Sequence, residues 1–508
     1  MTDGPRDIDD LRAATVHGLR WIVMARPVVE CLLVGSMVVL AHLIPPAAFG
    51  HFATASLISG FGAASVSAIT TALVQRPQLA REHLQAANAL ALGSGALLGV
   101  LTLLAASFVV DPIFGKGTAD VVRLSAPGPL IAAAGAVPFA VLQRRLDFRR
   151  LSVNDVIGSG FRAFGSVGLA LAGLDGAALV LGVLAGTAVQ SMLAWFWAPP
   201  PVPWPRWRPM RELLHYGTPN WLAAVSWIGF ANCDYAIVAA RLGAVQSGLY
   251  FRSYTLAVEY QKKVSNVAAT LGLPVLARTR NGEEMGALRS QMVSLLTVLL
   301  FPCLVLLAIV APVAVPFIFG PEWRPAVVPT QVLAIGGAAT LVIDAVGTTL
   351  MAAGRSRAVL GFGWGHFATY ATAVFFAAPF GLAAVATAAA VVHSAFVVVA
   401  YALLQRSAGT RVLASIWEDI APATCACAAL AAAGVPASLA MSAAHAAPVV
   451  NLTVVTLVAA SAYLLALRTC FASSWQTLAS LVRHLLPARA QRRRSASIEV
   501  LATAGVED

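Results

Sequence analysis

Apolar runs of about twenty residues recur along almost the whole chain, and this recurrence limits the possible folds more than any other feature. A helix of that length crosses the roughly 30 Å hydrocarbon core of a bilayer. The 508 residues are 59% hydrophobic and only 11% charged, which is more apolar than a soluble domain of this size requires. The sequence therefore predicts an all-α polytopic membrane protein.

Fourteen membrane spans are predicted from these runs. They cover residues 20–43, 48–74, 84–110, 121–142, 154–174, 176–198, 213–240, 248–276, 290–319, 326–353, 358–379, 381–404, 412–434 and 448–468. With this count, 26 of the 34 Lys and Arg residues fall on one side of the membrane, and four fall on the other: Lys116, Arg123, Arg241 and Arg324. Because Lys and Arg collect in cytoplasmic loops, both termini are predicted to be cytoplasmic.

The net charge of +11 follows from this topology, so no nucleic-acid partner is predicted. Residues 1–19 are predicted to form a cytoplasmic segment. Residues 469–508 combine leucines at helical spacing with a basic end, which indicates an amphipathic helix on anionic membrane lipids. A disordered basic tail explains the same residues equally well.

A short internal repeat links the first and seventh spans. The segment Ala41-His-Leu with Gly50-His-Phe follows the first span, and Ala240-Arg-Leu with Gly248-Leu-Tyr follows the seventh. The offset corresponds to six helices, and an even number gives two halves of parallel topology, related by an axis along the membrane normal.

Charged residues inside the spans are the candidates for function, since burying a charge in a bilayer costs about 2.5–3.5 kcal/mol. Arg26 and Glu30 are four residues apart in the first span and share one helix face, next to Pro27. They are predicted either to contribute to an anion site or to form an ion pair at the inner interface.

The eighth span carries the largest group of charges. Its polar residues at helical spacing are Arg252, Glu259, Lys263 and Asn266, with Lys262 beside them. On one unbroken helix face they would line a water-filled cavity or a polar seam; alternatively, residues 256–266 form an interrupted or interfacial segment.

Other spans carry single ionisable residues. These are Arg162, Asp234, Asp344, His366 and His393. Basic residues dominate in the first, fifth and eighth spans, and a cavity with excess Arg and Lys favours an anionic substrate.

No nucleotide-binding loop of the Gly-x-x-x-x-Gly-Lys-Ser/Thr type occurs in the chain. The loops are short, and the longest predicted cytoplasmic one covers residues 199–212. These features predict a protein that is not an enzyme, without catalytic or metal-binding residues and without a bound cofactor. An H⁺ or Na⁺ gradient or the membrane potential is the expected energy source.

Five stretches, in this order, resemble one known family. They are HLIPPAAFGHFATA, TTALVQRPQL, VPFAVLQRRLDFRRLSVNDV, GLYFRSYTLA and FIFGPEWRPA. Over roughly residues 20–410 the chain resembles the polysaccharide exporters, the Wzx-like lipid-linked oligosaccharide flippases of the multidrug/oligosaccharidyl-lipid/polysaccharide superfamily. The loop at residues 142–150 is the most specific of these motifs.

The resemblance implies a MATE-like fold. It would consist of six-helix bundles at residues 20–198 and 213–404, a linker at 199–212, and two further helices within 412–468. It implies transfer of undecaprenyl-pyrophosphate-linked oligosaccharide from the cytoplasmic to the periplasmic leaflet of a bacterial inner membrane, for O-antigen, capsule or exopolysaccharide. Other polysaccharide assembly proteins are possible partners.

The resemblance also implies that basic residues in the first and eighth helices meet the pyrophosphate. Arg26 and Arg252 fit this role by position, followed by Lys262 and Lys263. Arg162 lies in the fifth span and is predicted from the sequence as a further contact for the anionic headgroup. Glu30, Asp234, Glu259 and Asp344 are predicted to support these residues or to take part in ion coupling.

Three alternatives remain open at this point. A MATE-type multidrug or cation antiporter would need a cavity dominated by carboxylates. A membrane glycosyltransferase, either a polymerase or a ligase, would need a large outer loop. A scaffold in a polysaccharide assembly complex would need a purely structural role for the charges of the eighth span.

Overall fold

The computed structural model describes residues 8–76, 78–279, 281–408 and 412–485, and within these ranges all regular structure is helical. The first nine α-helices are α1 (Ile8–Leu43), α2 (Pro46–Gln75), α3 (Arg81–Ala105), α4 (Asp111–Phe114), α5 (Lys116–Ser125), α6 (Gly128–Arg144), α7 (Phe148–Leu171), α8 (Gly176–Trp197) and α9 (Trp207–Tyr254). The others are α10 (Tyr260–Leu276), α11 (Gly282–Phe319), α12 (Val327–Ala352), α13 (Ser356–Ala377), α14 (Leu382–Ala408), α15 (Val412–Ala443), α16 (Pro448–Cys470) and α17 (Ala472–Leu485).

Two π-helical turns and two 3₁₀ turns connect some of these helices. The π turns are Ala106–Val110 and Thr255–Glu259, and the 3₁₀ turns are Pro321–Ala326 and Ala378–Phe380. Helix α9 is broken at Gly243, where φ is 83° and ψ is 177°. Glycine adopts this positive φ at little steric cost. Because φ and ψ are not helical at Gly243, one helical segment ends there and the next begins.

Ten helical segments in the described ranges are long and apolar enough to cross a membrane, and the count is eleven if the bent pair Ala224–Phe230 and Asn232–Thr270 is one span. Helices α7 and α13 coincide with the fifth and eleventh predicted spans but are not among the ten. Each predicted span thus falls on a helix, and the total of fourteen stays a prediction.

The chain divides into two compact units. Unit 1 comprises Met1–Ser253, Val315–Pro329 and Ala371–Val385, and unit 2 comprises Tyr254–Ala314, Thr330–Tyr370 and Ala386–Asp508. Helices α11 to α14 each contribute to both units. The bundle boundaries and the tail assignments made from the sequence remain predictions, and residues 1–7 and 486–508 of the two tails lie outside the described residues.

Small residues bring helices together in unit 1. A Cβ atom on Gly182 of α8 would lie 2.9 Å from the carbonyl oxygen of Arg162 on α7, and one on Gly186 would lie 2.6 Å from the carbonyl oxygen of Gly158. The two glycines are four residues apart on one face of α8, as in membrane helix pairs whose backbones approach closely.

The last residue of α6 holds the end of α2. Arg144 Nη1 donates hydrogen bonds to the carbonyl oxygens of Leu73 at 3.0 Å and Val74 at 3.2 Å. The last carbonyls of a helix have no partner within the helix, and Arg144 provides one. Asp147 caps α7 by accepting a hydrogen bond from the Arg150 backbone nitrogen at 3.2 Å.

The predicted linker at residues 199–212 is anchored to α3. Asn88 Nδ2 donates to the carbonyl oxygen of Pro201 at 2.9 Å, and Arg206 pairs with Glu82 at 3.1 Å. Glu212 accepts a hydrogen bond from Arg76, which lowers the pKa of this exposed carboxyl below its usual value. The linker is therefore part of the folded end of unit 1.

Unit 2 has two apolar clusters. One joins α11, α12 and α14, and the other joins α11, α15 and α16, where Tyr463 donates to the carbonyl oxygen of Val298 at 2.7 Å. At one end, Asp419 of α15 pairs with Arg289 of α11 at 3.3 Å and accepts a hydrogen bond from Tyr401 of α14 at 2.5 Å. These contacts fix the two C-terminal helices to the rest of unit 2.

Candidate functional site

Arg26 and Glu30 form an ion pair along α1 at 2.9 Å. The side chain of Arg26 remains 57% exposed, so further oxygen atoms have access to its guanidinium. Helix α7 packs against α1 and brings Asp155 within electrostatic range of both residues. One guanidinium and two carboxylates therefore share this corner of unit 1.

The sequence analysis missed Asp155. The signal was an aspartate in the fifth predicted span, seven residues before Arg162, within the stretch Leu-Ser-Val-Asn-Asp. Its importance depends on the packing of α7 against α1, which sequence spacing within one helix does not reveal.

Arg162 of α7 lines a cavity of about 280 Å³ in unit 1. The walls come from α2, α6 and α8 together with the end of α5, and they are mostly apolar. The hydroxyl-bearing residues of the lining are Ser56, Ser59, Ser125 and Thr187. A guanidinium and several hydroxyls around a cavity suit an oxygen-rich anion.

Arg252 lies in an aromatic cage in unit 1 and is 1% exposed. Its guanidinium carbon is 4.7 Å from the ring centroids of Phe49 and Phe319 and 5.2 Å from that of Trp323. Nη2 also donates a long hydrogen bond of 3.5 Å to the carbonyl oxygen of Met37. In this conformation, a phosphate cannot reach the guanidinium from solvent.

Asp234 is also buried in unit 1, at 1% exposure. It accepts hydrogen bonds from the Tyr250 hydroxyl at 2.9 Å and from the Tyr235 backbone nitrogen at 3.0 Å. These hydrogen bonds link Asp234 to Tyr250. The supporting or coupling role expected for Asp234 stays a prediction.

In unit 2, Lys262 donates a hydrogen bond to the Tyr254 hydroxyl at 2.5 Å. It also interacts electrostatically with the partly buried Asp344 of α12. Lys263 lies over the Tyr260 ring at 4.8 Å, and Glu259 is exposed. Lys262 and Asp344 therefore form one charged group, and Lys263 contacts a different aromatic ring.

The eighth span is not one unbroken face. The π turn Thr255–Glu259 lies between Arg252 and Lys262. A π turn adds about one residue to a helix, which rotates the following positions by about 100°. The prediction that Arg252, Glu259, Lys263 and Asn266 share one face is wrong for this reason, and the alternative of an interrupted segment fits the π turn.

Two histidines that the sequence presents singly are neighbours in unit 2. The ring centroids of His366 and His393 are 5.1 Å apart, and Tyr370 lies 5.0 Å from His393. His393 Nδ1 contacts the carbonyl oxygen of Ala389 at 2.6 Å. Lys262 acts electrostatically on both histidines.

These helices and charges first define a class of protein: a multi-pass helical membrane protein with basic residues inside its spans. Solved structures share the fold. The lipid II flippase MurJ in an inward closed conformation matches with a TM-score of 0.63 and 12% identity, over 88% of this chain and 98% of that chain. An inward-facing multidrug resistance MATE family transporter of the MOP superfamily matches with a TM-score of 0.58 and 14% identity, over 76% and 95%.

The sequence then places the chain within one family. Residues 39–328, more than half of the chain, match the profile of the polysaccharide biosynthesis protein family, and the chain belongs to that family. The lipopolysaccharide biosynthesis protein WzxC of Escherichia coli strain K12 is 24% identical over 381 residues, or 71% of this chain and 74% of WzxC. The family and the MATE-like fold expected from the sequence are confirmed.

Proposed function

We propose that this protein is a flippase for a lipid-linked oligosaccharide whose sugar is joined to the lipid by a pyrophosphate. It moves the anionic headgroup from the cytoplasmic to the periplasmic leaflet of a bacterial inner membrane, and both of its termini are cytoplasmic. Membership in the polysaccharide biosynthesis family and the fold shared with MurJ support this proposal.

The observation that carries the proposal is the cavity at Arg162. An arginine in an apolar helix has a high desolvation cost, and here it borders a cavity with four hydroxyl-bearing residues. A planar guanidinium binds two oxygens of a phosphate at once, and the hydroxyls of Ser56 and Ser59 would donate to the others. The hydroxyls of Ser125 and Thr187 already donate to backbone carbonyl oxygens. Arg26, Lys262 and Lys263 are further contacts for the headgroup in this proposal, since none of them is fully buried.

An H⁺ or Na⁺ gradient or the membrane potential drives the transfer in this proposal. Glu30 pairs with Arg26, and Asp155 and Asp344 interact electrostatically with Arg26 and Lys262. Protonation or cation binding at these carboxylates would change the charge that the headgroup meets. Anionic lipids at the basic tail and other polysaccharide assembly proteins are the proposed partners.

The test of the proposed function uses a strain that lacks this protein. Intact spheroplasts are treated with a reagent that modifies outward-facing sugars, and the lipid-linked oligosaccharides are then extracted. We expect complete units that accumulate and stay shielded from the reagent. Complete units that react would place the missing step after translocation, at a polymerase or ligase, and would contradict the proposal.

The Arg162→Ala variant in this strain tests the residue assignment. Loss of charge-assisted hydrogen bonds worth about 1.5–3 kcal/mol should reduce surface polysaccharide by about ten- to a hundredfold, at an unchanged protein level in the membrane. Arg123→Ala is the control, since Arg123 pairs with Asp120 on an exposed surface. Equal polysaccharide in both variants would exclude Arg162 from the headgroup site.

A cation antiporter is a second candidate because of the corner at Arg26. One guanidinium faces Glu30 and Asp155 there, and a net negative group suits cation exchange. Such an antiporter would confer resistance to cationic dyes in a sensitive strain, and resistance would be lost in Asp155→Asn. A flippase would leave dye resistance unchanged.

A further inference from the structure

Two glycines at equivalent positions of the internal repeat contact each other in unit 1. Gly50 lies on α2 and Gly248 lies on α9, after the break at Gly243. A Cβ atom on Gly50 would lie 1.9 Å from the carbonyl oxygen of Ala244, and a Cβ atom on Gly248 would lie 1.8 Å from that of Pro46. Any side chain at either position would force the two helices apart.

The contact is symmetric with respect to the repeat. Gly50 and Gly248 are separated by 198 residues, and so are their partners Pro46 and Ala244. Each glycine faces the carbonyl of the residue four positions before the other glycine. This reciprocity is the property of an isologous two-fold interface, in which the same surface is used on both sides. A local two-fold axis between the repeats therefore passes through this contact.

An aromatic pair lies beside the glycine contact, since Phe49 precedes Gly50 in the chain and its ring meets that of Trp323. Trp323 is fully buried, its Nε1 donates to the carbonyl oxygen of Ala41 at 3.1 Å, and its ring is 5.2 Å from that of Phe49. Arg252 lies against both rings, and Ser253 donates to the carbonyl oxygen of Ala326 at 3.0 Å. These contacts thus join four elements: the end of α1, the start of α2, the last part of α9 and the 3₁₀ turn at Pro321–Ala326.

We propose that this region, the glycine seam, is a closed gate at the predicted outer end of the protein, with Arg252 as its latch. The seam is defined by Pro46, Gly50, Ala244, Gly248, Arg252 and Trp323. Separation of the two glycine helices opens it and releases the guanidinium of Arg252 from its aromatic cage. The exposed guanidinium then meets an anionic group leaving toward the outside, a step that rests on the proposed function.

The chemistry of the cage favours a latch. A desolvated cation is attracted to the face of an aromatic ring, and three rings surround Arg252. These contacts offset the burial of the charge while the seam is closed. Water or a phosphate replaces them when it opens, so neither state leaves the charge without compensation.

The experiment measures access to the seam from outside. Ser247 is fully buried beside Gly248, and Ser247→Cys introduces a thiol of similar size. Intact spheroplasts are labelled with a membrane-impermeant maleimide, and the labelling of the same protein without this reporter is subtracted, because the chain has six native cysteines. We expect little labelling of Ser247→Cys alone.

Gly50→Ala or Gly248→Ala should then raise the labelling by about tenfold, which corresponds to a shift of about 1.4 kcal/mol toward the open state. Gly35→Ala is the matched control, because a Cβ atom there meets nothing within 4 Å. Arg252→Ala should raise the labelling without any steric clash, and Arg252→Lys should raise it less.

Unchanged labelling in Gly50→Ala, Gly248→Ala and Arg252→Ala would overturn the proposal, as would strong labelling of Ser247→Cys alone. A second reporter, Ser191→Cys, is buried in α8 far from the seam residues in sequence. If Gly50→Ala exposed both reporters equally, the seam would hold unit 1 together without gating it, and the proposal would also fail. Labelling requires no oligosaccharide, so the outcome is independent of the flippase assay.

Discussion

At the scale of single residues, burial separates the arginines of this protein into different roles. Arg252 is enclosed by aromatic rings, Arg162 borders a cavity, and Arg144 holds the end of a neighbouring helix. Their sequence contexts are similar, since each lies in or beside an apolar run. The role of an arginine here follows from the groups that surround it.

Arg144→Ala should destabilise the protein by removing hydrogen bonds to the last carbonyls of α2. The expected cost is about 1–3 kcal/mol, since buried or partly buried carbonyls lose a charged donor. The measurement is fluorescence-detected thermal unfolding of the purified protein in detergent.

The neighbouring Arg145→Ala is the control for Arg144→Ala, because Arg145 is exposed. We expect the midpoint of Arg144→Ala to lie several degrees below that of Arg145→Ala. Equal midpoints would show that the carbonyls of α2 find other donors.

The sequence predicts which charged residues belong to the site better than it predicts which residues they contact. Arg26 and Glu30 pair as their spacing predicts, because both lie on one helix. Three other interactions depend on packing between helices or across a break in a helix. They are the interactions of Asp234 with Tyr250, of Asp155 with Arg26 and of His366 with His393. The spacing of residues within one span carries no information about such contacts.

At the scale of elements, the breaks in the helices decide where side chains point. Gly243 ends one segment of α9, and the π turn at Thr255–Glu259 rotates the residues that follow it. A hydropathy pattern detects neither feature, since it reports how apolar each residue is and not how many residues make one turn. The lengths and positions of the helices follow from the apolar runs, whereas the shared face of the eighth span does not.

The triad that fixes α15 is a second feature at this scale. Asp419 is 1% exposed and Arg289 is 12% exposed, so removal of either charge leaves the other uncompensated. Asp419→Asn should therefore cost about 3–5 kcal/mol, measured by chemical unfolding in detergent. The adjacent Glu418→Gln is the control, because Glu418 is exposed.

The double variant Arg289→Met with Asp419→Leu should recover much of the lost stability, since apolar residues of similar volume often replace a buried ion pair at little cost. A stable Asp419→Asn protein would contradict the structural role of this triad.

At the scale of the whole molecule, the sequence predicts which loops face the cytoplasm. Phosphatase fusions after Gly115, Gly320 or His445 should be active, since the enzyme folds outside. Fluorescent-protein fusions after Pro203, Asn281 or Arg355 should fluoresce, since that protein folds inside. An active phosphatase at Pro203 would reverse the assignment from that point and contradict the predicted count of fourteen spans.

The whole fold is predicted from the sequence to the extent that it depends on span length, charge asymmetry and family motifs. The division into two compact units is not predicted from the sequence, because helices α11 to α14 each belong to both units. A partition of this kind arises from contacts between distant parts of the chain, and no composition change along the sequence marks it.

The reciprocal contact of Gly50 and Gly248 has a consequence for the history of the chain. Two identical six-helix proteins could pair through this same surface, with a single glycine codon serving both partners. After duplication and fusion, two codons encode the contact, and each can mutate separately. A change at either one meets the same carbonyl obstruction, so the contact itself restricts both positions to glycine and places no such restriction on the flanking residues.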